Sequence, residues 1–143
     1  MDNELEIGAR NLMLCRGVTF DAAHPEAPYT LHNLLSSVRA VALVAVKTTK
    51  PICAYVEYFG APGEYQIWID VVLVDYDERV DEVEGDIATY GSFDLNLRGD
   101  SFVEGRFYCL RHLPLTRKGV YEFRLKLAGA HEAVISQRLF VKE

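Results

Sequence analysis

The nine residues Gly119-Val120-Tyr121-Glu122-Phe123-Arg124-Leu125-Lys126-Leu127 alternate strictly. Tyr121, Phe123, Leu125 and Leu127 fall on one side, Glu122, Arg124 and Lys126 on the other. Successive side chains of a β-strand point to opposite faces, so this segment has one face to bury and one to expose to water. A helical period of 3.6 would scatter the same four apolar residues around the axis. A chain built on such a strand must supply a second layer to cover its apolar row.

The rest of the chain repeats the pattern. After the glycine-containing connector at 128–131, a strand from Ala133 to Val141 completes a C-terminal hairpin, with Ile135, Leu139 and Val141 sharing a face with Gln137. Upstream, strands are expected over Asn11–Thr19, Tyr29–Leu35, Val38–Lys47, Ile52–Phe59, Tyr65–Val74, the stretch ending Phe93-Asp94-Leu95-Asn96-Leu97, and Arg106–Leu113. In the fifth of these, Tyr65, Ile67, Ile69, Val71 and Leu73 should face the core. Asp21–Pro28 holds two prolines and must be a loop. Gly60-Ala61-Pro62-Gly63 supplies turn geometry and predicts a hairpin between its flanking strands. Val38–Lys47, with only Arg39 breaking the apolar run before its final lysine, predicts a central strand buried on both faces, with a short helix the alternative that periodicity leaves open. These readings amount to seven to nine strands and no convincing amphipathic helix longer than two turns. The economical fold is an all-β, single-domain antiparallel β-sandwich over 11–143, preceded by a flexible leader at 1–10.

At 143 residues the chain is large enough for one sizeable core without disulfides or metal. A net charge of −6 disfavours a nucleic-acid partner, which calls for a basic surface. The acidic start Met1–Glu6 does not match a secretory signal, and the longest apolar run, Ala40–Val46, is far short of the ~20 residues of a membrane-spanning helix. The expectation is a soluble, cytoplasmic protein with no membrane partner. Cys15, Cys53 and Cys109 each sit in an apolar stretch, consistent with three buried, reduced thiols.

No chemistry-bearing constellation emerges. His24, His32, His112 and His131 are dispersed without metal-ligand spacing, no CxxC pair is present, and neither a Gly-x-Ser-x-Gly elbow nor a phosphate-cradling loop occurs. Asp21 and His24 lie close in sequence but have no evident nucleophile. The carboxylates between Asp75 and Asp86 do not follow a calcium-loop spacing and read as a solvated loop, with calcium the sharper alternative. Arg98-Gly99-Asp100 reads as a turn. No catalytic residue, cofactor or metal is assigned. The surplus of aromatics is the better lead: Tyr55, Tyr58, Trp68, Tyr76 and Phe140 are the candidate interface residues, with Phe59, Tyr90 and Tyr108 beside them, because rings with a polar handle suit protein interfaces.

Leu12–Val18, Tyr29–Leu35, Gly63-Glu64-Tyr65 opening a strand that ends Leu73-Val74-Asp75, Leu113-Pro114-Leu115, Gly119–Phe123 and Arg138–Val141 together resemble a family of small uncharacterised bacterial proteins with an immunoglobulin-like β-sandwich fold. The order Cys53, Trp68, Cys109 is similar to the Cys, Trp, Cys of immunoglobulin domains, in which an inter-sheet disulfide packs on the tryptophan. The resemblance implies a compact sandwich and carries no catalytic residues. The resulting expectation is a non-catalytic protein-interaction or structural module, with an aromatic sheet face or a strand edge as its route to a homodimer. The alternative is a small-ligand or carbohydrate-binding sandwich with Trp68 stacking on a sugar.

Overall fold

The computed structural model describes residues 7–24, 28–39, 52–75, 85–99, 103–110, 119–127 and 133–142. They form nine strands: β1 (Ile7–Phe20), β2 (Tyr29–Leu34), β3 (Ser37–Arg39), β4 (Ile52–Gly60), β5 (Gly63–Asp75), β6 (Gly85–Leu97), β7 (Glu104–Leu110), β8 (Gly119–Leu127) and β9 (Ile135–Lys142). Two sheets result, a four-stranded one in the order β2-β1-β4-β7 and a five-stranded one in the order β3-β9-β8-β5-β6. Every pairing is antiparallel except the short parallel contact of β3 with β9. The chain is an all-β sandwich, as its alternations predict.

The core is the space between the two sheets. From the five-stranded sheet come Ile67, Ile69, Val71 and Leu73 of β5, Leu95 and Leu97 of β6, Tyr121, Phe123, Leu125 and Leu127 of β8, and Leu139 and Val141 of β9. From the four-stranded sheet come Leu12 and Leu14, then Ile52, Ala54, Val56 and Tyr58, then Tyr108 and Leu110. The four apolar residues of β8 are all buried while Glu122, Arg124 and Lys126 are only partly covered, so its alternation translates directly into an inner and an outer face. The hydroxyls of Tyr58 and Tyr108 share a hydrogen bond of 2.9 Å, which satisfies both inside the core. Burial first, with the facing hydroxyl adding to it, pushes the Tyr58 phenol far above its ordinary range.

Three expectations are corrected. Gly60-Ala61-Pro62-Gly63 does not close a hairpin: β4 pairs with β1 and β7, whereas β5 pairs with β6 and β8, so the chain crosses there from one sheet to the other. Gly60 and Gly63 take φ of 134° and 152°, backbone that L side chains rarely adopt, and so let the chain change sheets within a few residues. An apolar row on each strand tells it which way to face, not which neighbour to take. Val38 and Arg39 belong to β3 at the edge of the five-stranded sheet rather than to a central strand, and 40–47 lies outside the described residues. The first strand begins at Ile7 rather than Asn11, with Ile7 in the core and Ile7–Arg10 paired to Glu57–Gly60. The leader's last four residues are therefore sheet.

A bulge between Arg10 and Met13 hides this extension from the sequence, because it shifts the register of β1 against β4. Asn11 sits in the bulge with φ 55°, and its amide Nδ2 donates to Glu57 Oε1 at 2.6 Å. Asparagine tolerates this left-handed backbone where a β-branched residue does not. Asn11→Val should lower stability by about 1–2 kcal/mol from backbone strain alone, and Asn11→Gly by clearly less. Equal losses in thermal unfolding would show that the side-chain bond to Glu57, not the backbone, is what this position provides.

Candidate functional site: the outer face of the four-stranded sheet

Outward-facing residues of β4 are Cys53, Tyr55, Glu57 and Phe59, alternating with the core residues Ile52, Ala54, Val56 and Tyr58. By register, Tyr55 stands between Met13 of β1 and Phe107 of β7, and Cys53 between Cys15 and Cys109. Two rows of uncharged side chains therefore cross the centre of this outer face. A protein surface facing only water would be expected to alternate apolar-in with polar-out.

Part of the face is roofed by the chain itself. The partners of β1 on β4 end at Cys15, whereas its partners on β2 continue to Phe20 opposite Tyr29. Seven residues separate Met13 from Phe20, which on a straight strand would place Tyr29 roughly 23 Å from Tyr55. The ring centroids of Tyr29 and Tyr55 are 5.5 Å apart, and Tyr29 also stacks edge-on to Phe107 at 6.3 Å and to Phe20 at 5.3 Å. The far end of the β1–β2 hairpin must therefore fold back over the sheet. The ladder is interrupted where this bend is needed, at Arg16 opposite Asn33, and Asn33 takes φ 56°. Gly105 makes room below: a Cβ at that position would lie 2.5 Å from Tyr55 Oη and 3.0 Å from the Tyr29 ring.

Beneath that roof Tyr55 is buried, and its hydroxyl donates to Glu57 Oε2 at 3.3 Å. Burial, reinforced by the Glu57 carboxylate, pushes its phenol up to about 12. Glu57 also accepts from Arg10 Nε at 3.2 Å and from Asn11, so the one carboxylate in the centre of the face is matched by a cation. Around the roofed centre, large apolar side chains remain in contact with water: Phe20 is 57% exposed, Phe59 and Phe107 each 42%, and Met13 37%. Among the described residues, four of the six large exposed apolar side chains lie here, so this face carries a concentrated apolar surface.

The sequence candidates do not assemble into one patch. Tyr58 lies in the core and Tyr55 under Tyr29, so neither is an exposed anchor. Trp68 and Phe140 are on the outer face of the other sheet, opposite Lys126 and Val120 of β8 respectively. Those two partners are six residues apart on β8, roughly 20 Å. Tyr76 lies outside the described residues, as does most of the acidic stretch at 75–86. Phe20, Tyr29, Met13 and Phe107 were missed. The signal was present in Phe107-Tyr108-Cys109-Leu110, where both alternating rows are apolar, but a two-sided apolar strand does not say which side faces the core.

Among the described residues no chemistry gathers elsewhere. Cys53 and Cys109 are neighbours within one sheet, not partners across two as in an immunoglobulin domain, and Cys109 is exposed, which corrects the expectation of three buried thiols. Asp21 accepts from His24 Nδ1 at 2.8 Å and from the Ala23 amide at 2.9 Å, a well-exposed turn at the hairpin tip. The Ala23 amide first and His24 second hold the Asp21 carboxyl below its usual range. His32 bonds Thr19 across the hairpin at 2.6 Å, and His112 and His131 lie outside the described residues. Glu104 accepts from the amides of Arg98 and Gly99 at 3.1 and 3.2 Å, which makes that part of the Arg-Gly-Asp sequence a clamped turn. Among the described residues no group of His, Cys, Asp or Glu could hold a metal ion, and no helix is long and apolar enough to cross a membrane.

The outer face of the five-stranded sheet has a different character. Lys126 Nζ meets Asp70 Oδ2 at 2.9 Å, and Glu122 takes Arg124 at 2.6 Å on one oxygen and Arg138 at 3.1 Å on the other. Burial works to raise the Glu122 pKa, but the two guanidinium groups outweigh it and hold the carboxyl below its ordinary value of 4.5. A folded-state pKa below the unfolded one gives stability that is present above the unfolded value and lost as pH falls through the folded one. Glu122→Gln should therefore lower the unfolding midpoint at neutral pH, with the gap to the parent closing below pH 4.5. A gap that stayed constant into acid would mean that the charge of Glu122 contributes nothing.

No protein-family model and no curated protein matches the chain. Among solved structures it is similar to an immunoglobulin-like protein from Pseudomonas aeruginosa, with a TM-score of 0.45 and 10% identity over 99% of this chain and 100% of that one.

Proposed function

We propose that the protein is a non-catalytic interaction module whose docking surface is the outer face of the four-stranded sheet, with a second copy of the chain as its first partner. The observation that carries this reading is the exposure of Phe20, Phe107 and Met13 beside the Tyr29–Tyr55 pair, with Phe59 further along β4 on the same face. Aromatic residues and methionine are enriched at the cores of protein interfaces, where charge is depleted. Rings held by neighbouring rings lose little side-chain freedom on docking, so most of the burial would appear as affinity. The net charge of −6 opposes self-association in general. At this face the opposition is local and small, because Glu57 is matched by Arg10. Two copies related by a twofold axis would bury the same rows against each other.

A small-ligand or carbohydrate reading has one observation in its favour. A groove of about 560 Å³ on β5 and β6 brings Tyr65 together with Glu64, Gln66, Asp94 and Asn96. Trp68 does not line that groove, and the Tyr65 hydroxyl is already donating to the Ala61 carbonyl at 3.0 Å. The docking surface is therefore the stronger reading.

Light scattering over a concentration series tests it. The parent should associate, Phe107→Ser should reduce the mass to that of one chain, and Phe140→Ser, on the opposite face, should leave the associated mass unchanged. Phe107→Ser also removes the edge-on contact with Tyr29, worth about 0.5–1.5 kcal/mol, so thermal unfolding of both variants is recorded alongside to show that each stays folded at the temperature of the scattering. A monomer at every concentration, or an assembly dissociated by the Phe140 change alone, would overturn the self-docking assignment.

A further inference from the structure

One row of the four-stranded sheet carries three thiols. Cys53 of β4 is directly opposite Cys15 of β1 on one side and Cys109 of β7 on the other. The outer two are two strand spacings apart, roughly 10 Å, so the row runs in a line and cannot converge on a metal ion. It can, however, make a covalent link between neighbours. Directly opposed residues of antiparallel strands have Cα atoms about 4.5–5.5 Å apart, inside the ~4.4–6.8 Å range in which a disulfide closes without moving the backbone.

The two possible links are not equivalent. Cys53 Sγ and Cys109 Sγ are in contact at 3.1 Å. The Cys15 thiol instead donates towards the carbonyls of Gly17 at 3.4 Å and Cys53 at 3.7 Å, and Cys15 is completely buried. Burial pushes that thiol up, so little of it is the reactive thiolate. Cys109 is exposed and Cys53 lies behind it, which gives the pair an entry point and a resolving partner. We propose that Cys53 and Cys109 are a dithiol–disulfide pair, oxidised by exchange with a small-molecule disulfide that enters at Cys109, with Cys15 a bystander.

The exchange balances with no further reactant. Cys109 gives its proton to solvent, and its thiolate attacks one sulfur of the small disulfide, breaking that S–S bond and releasing one small thiolate. Cys53 gives up its proton in turn and attacks Cys109 Sγ, forming the protein disulfide and releasing the second small thiolate. Two protein thiols and one small disulfide become one protein disulfide and two small thiols, and the two electrons leave the protein with the latter. The product ties edge strand β7 to β4 beside Phe107, whatever docks on the face.

The test uses the full chain in its folded form with glutathione disulfide as the probe, followed by alkylation, intact mass and peptide mapping. Of its three thiols the parent should lose two, with no glutathione retained and a peptide pair linking Cys53 to Cys109. Cys15→Ser should form the same link. Cys109→Ser, at an exposed position that leaves the fold in place, should keep both remaining thiols under the same conditions. Stable glutathione on Cys109 of the parent, a Cys15–Cys53 link, a link between two chains, or three unreacted thiols would each overturn the proposal.

Discussion

Two apolar rows of equal pitch, one from each sheet, belong to the single core of this sandwich, and everything else is arranged around their need to be buried. One row is Tyr121, Phe123, Leu125 and Leu127, the other Ile52, Ala54, Val56 and Tyr58, and all eight are buried. Fully burying a large apolar side chain is worth roughly 1.5–3 kcal/mol, so these two rows contribute a large share of the core's stabilisation. They also fix the register, because a slip of one residue in either strand would turn its apolar set to the outside and its outer set inwards. For β8 that would place Glu122, Arg124 and Lys126 in the core.

The constraint acts on the inner faces and leaves the outer ones free to differ. On the five-stranded sheet the outward residues of β8 and β9 form an ion-pair network through Glu122, which suits a surface in contact with water. On the four-stranded sheet the outward rows are thiols, rings and methionine, and the folded-over hairpin covers only part of them. A sheet with both faces apolar needs a cover on each. One is the other sheet, the second is partly Tyr29 and Phe20, and the uncovered remainder is what the functional reading rests on.

Strand positions and their inner faces were largely legible in the sequence, because a period of two is a local property and survives in β5, β6, β8 and β9. Pairing was legible only at the C-terminal hairpin. The crossing at Gly60–Gly63 could not be read, since glycines with positive φ serve a tight turn and a change of sheet equally well. Nor could the start of β1 be read, where the bulge at Asn11 breaks the alternation. The interface candidates went astray for a related reason. Tyr55 and Tyr58 are separated by an odd number of positions and so point to opposite faces, Trp68 and Phe140 belong to the other sheet, and only pairing reveals that Phe107 joins Tyr55 and Met13 in one row.

The central claim is that the functional surface is the outer face of β1, β4 and β7 and not that of β5, β8 and β9. Amide chemical shifts of the full chain, followed by NMR across a concentration series, address it residue by residue. Shifts that move with concentration at Met13, Phe59 and Phe107, while those of Trp68, Lys126 and Phe140 stay fixed, are the predicted result. Movement confined to Trp68, Lys126 and Phe140, or none at all, would contradict it.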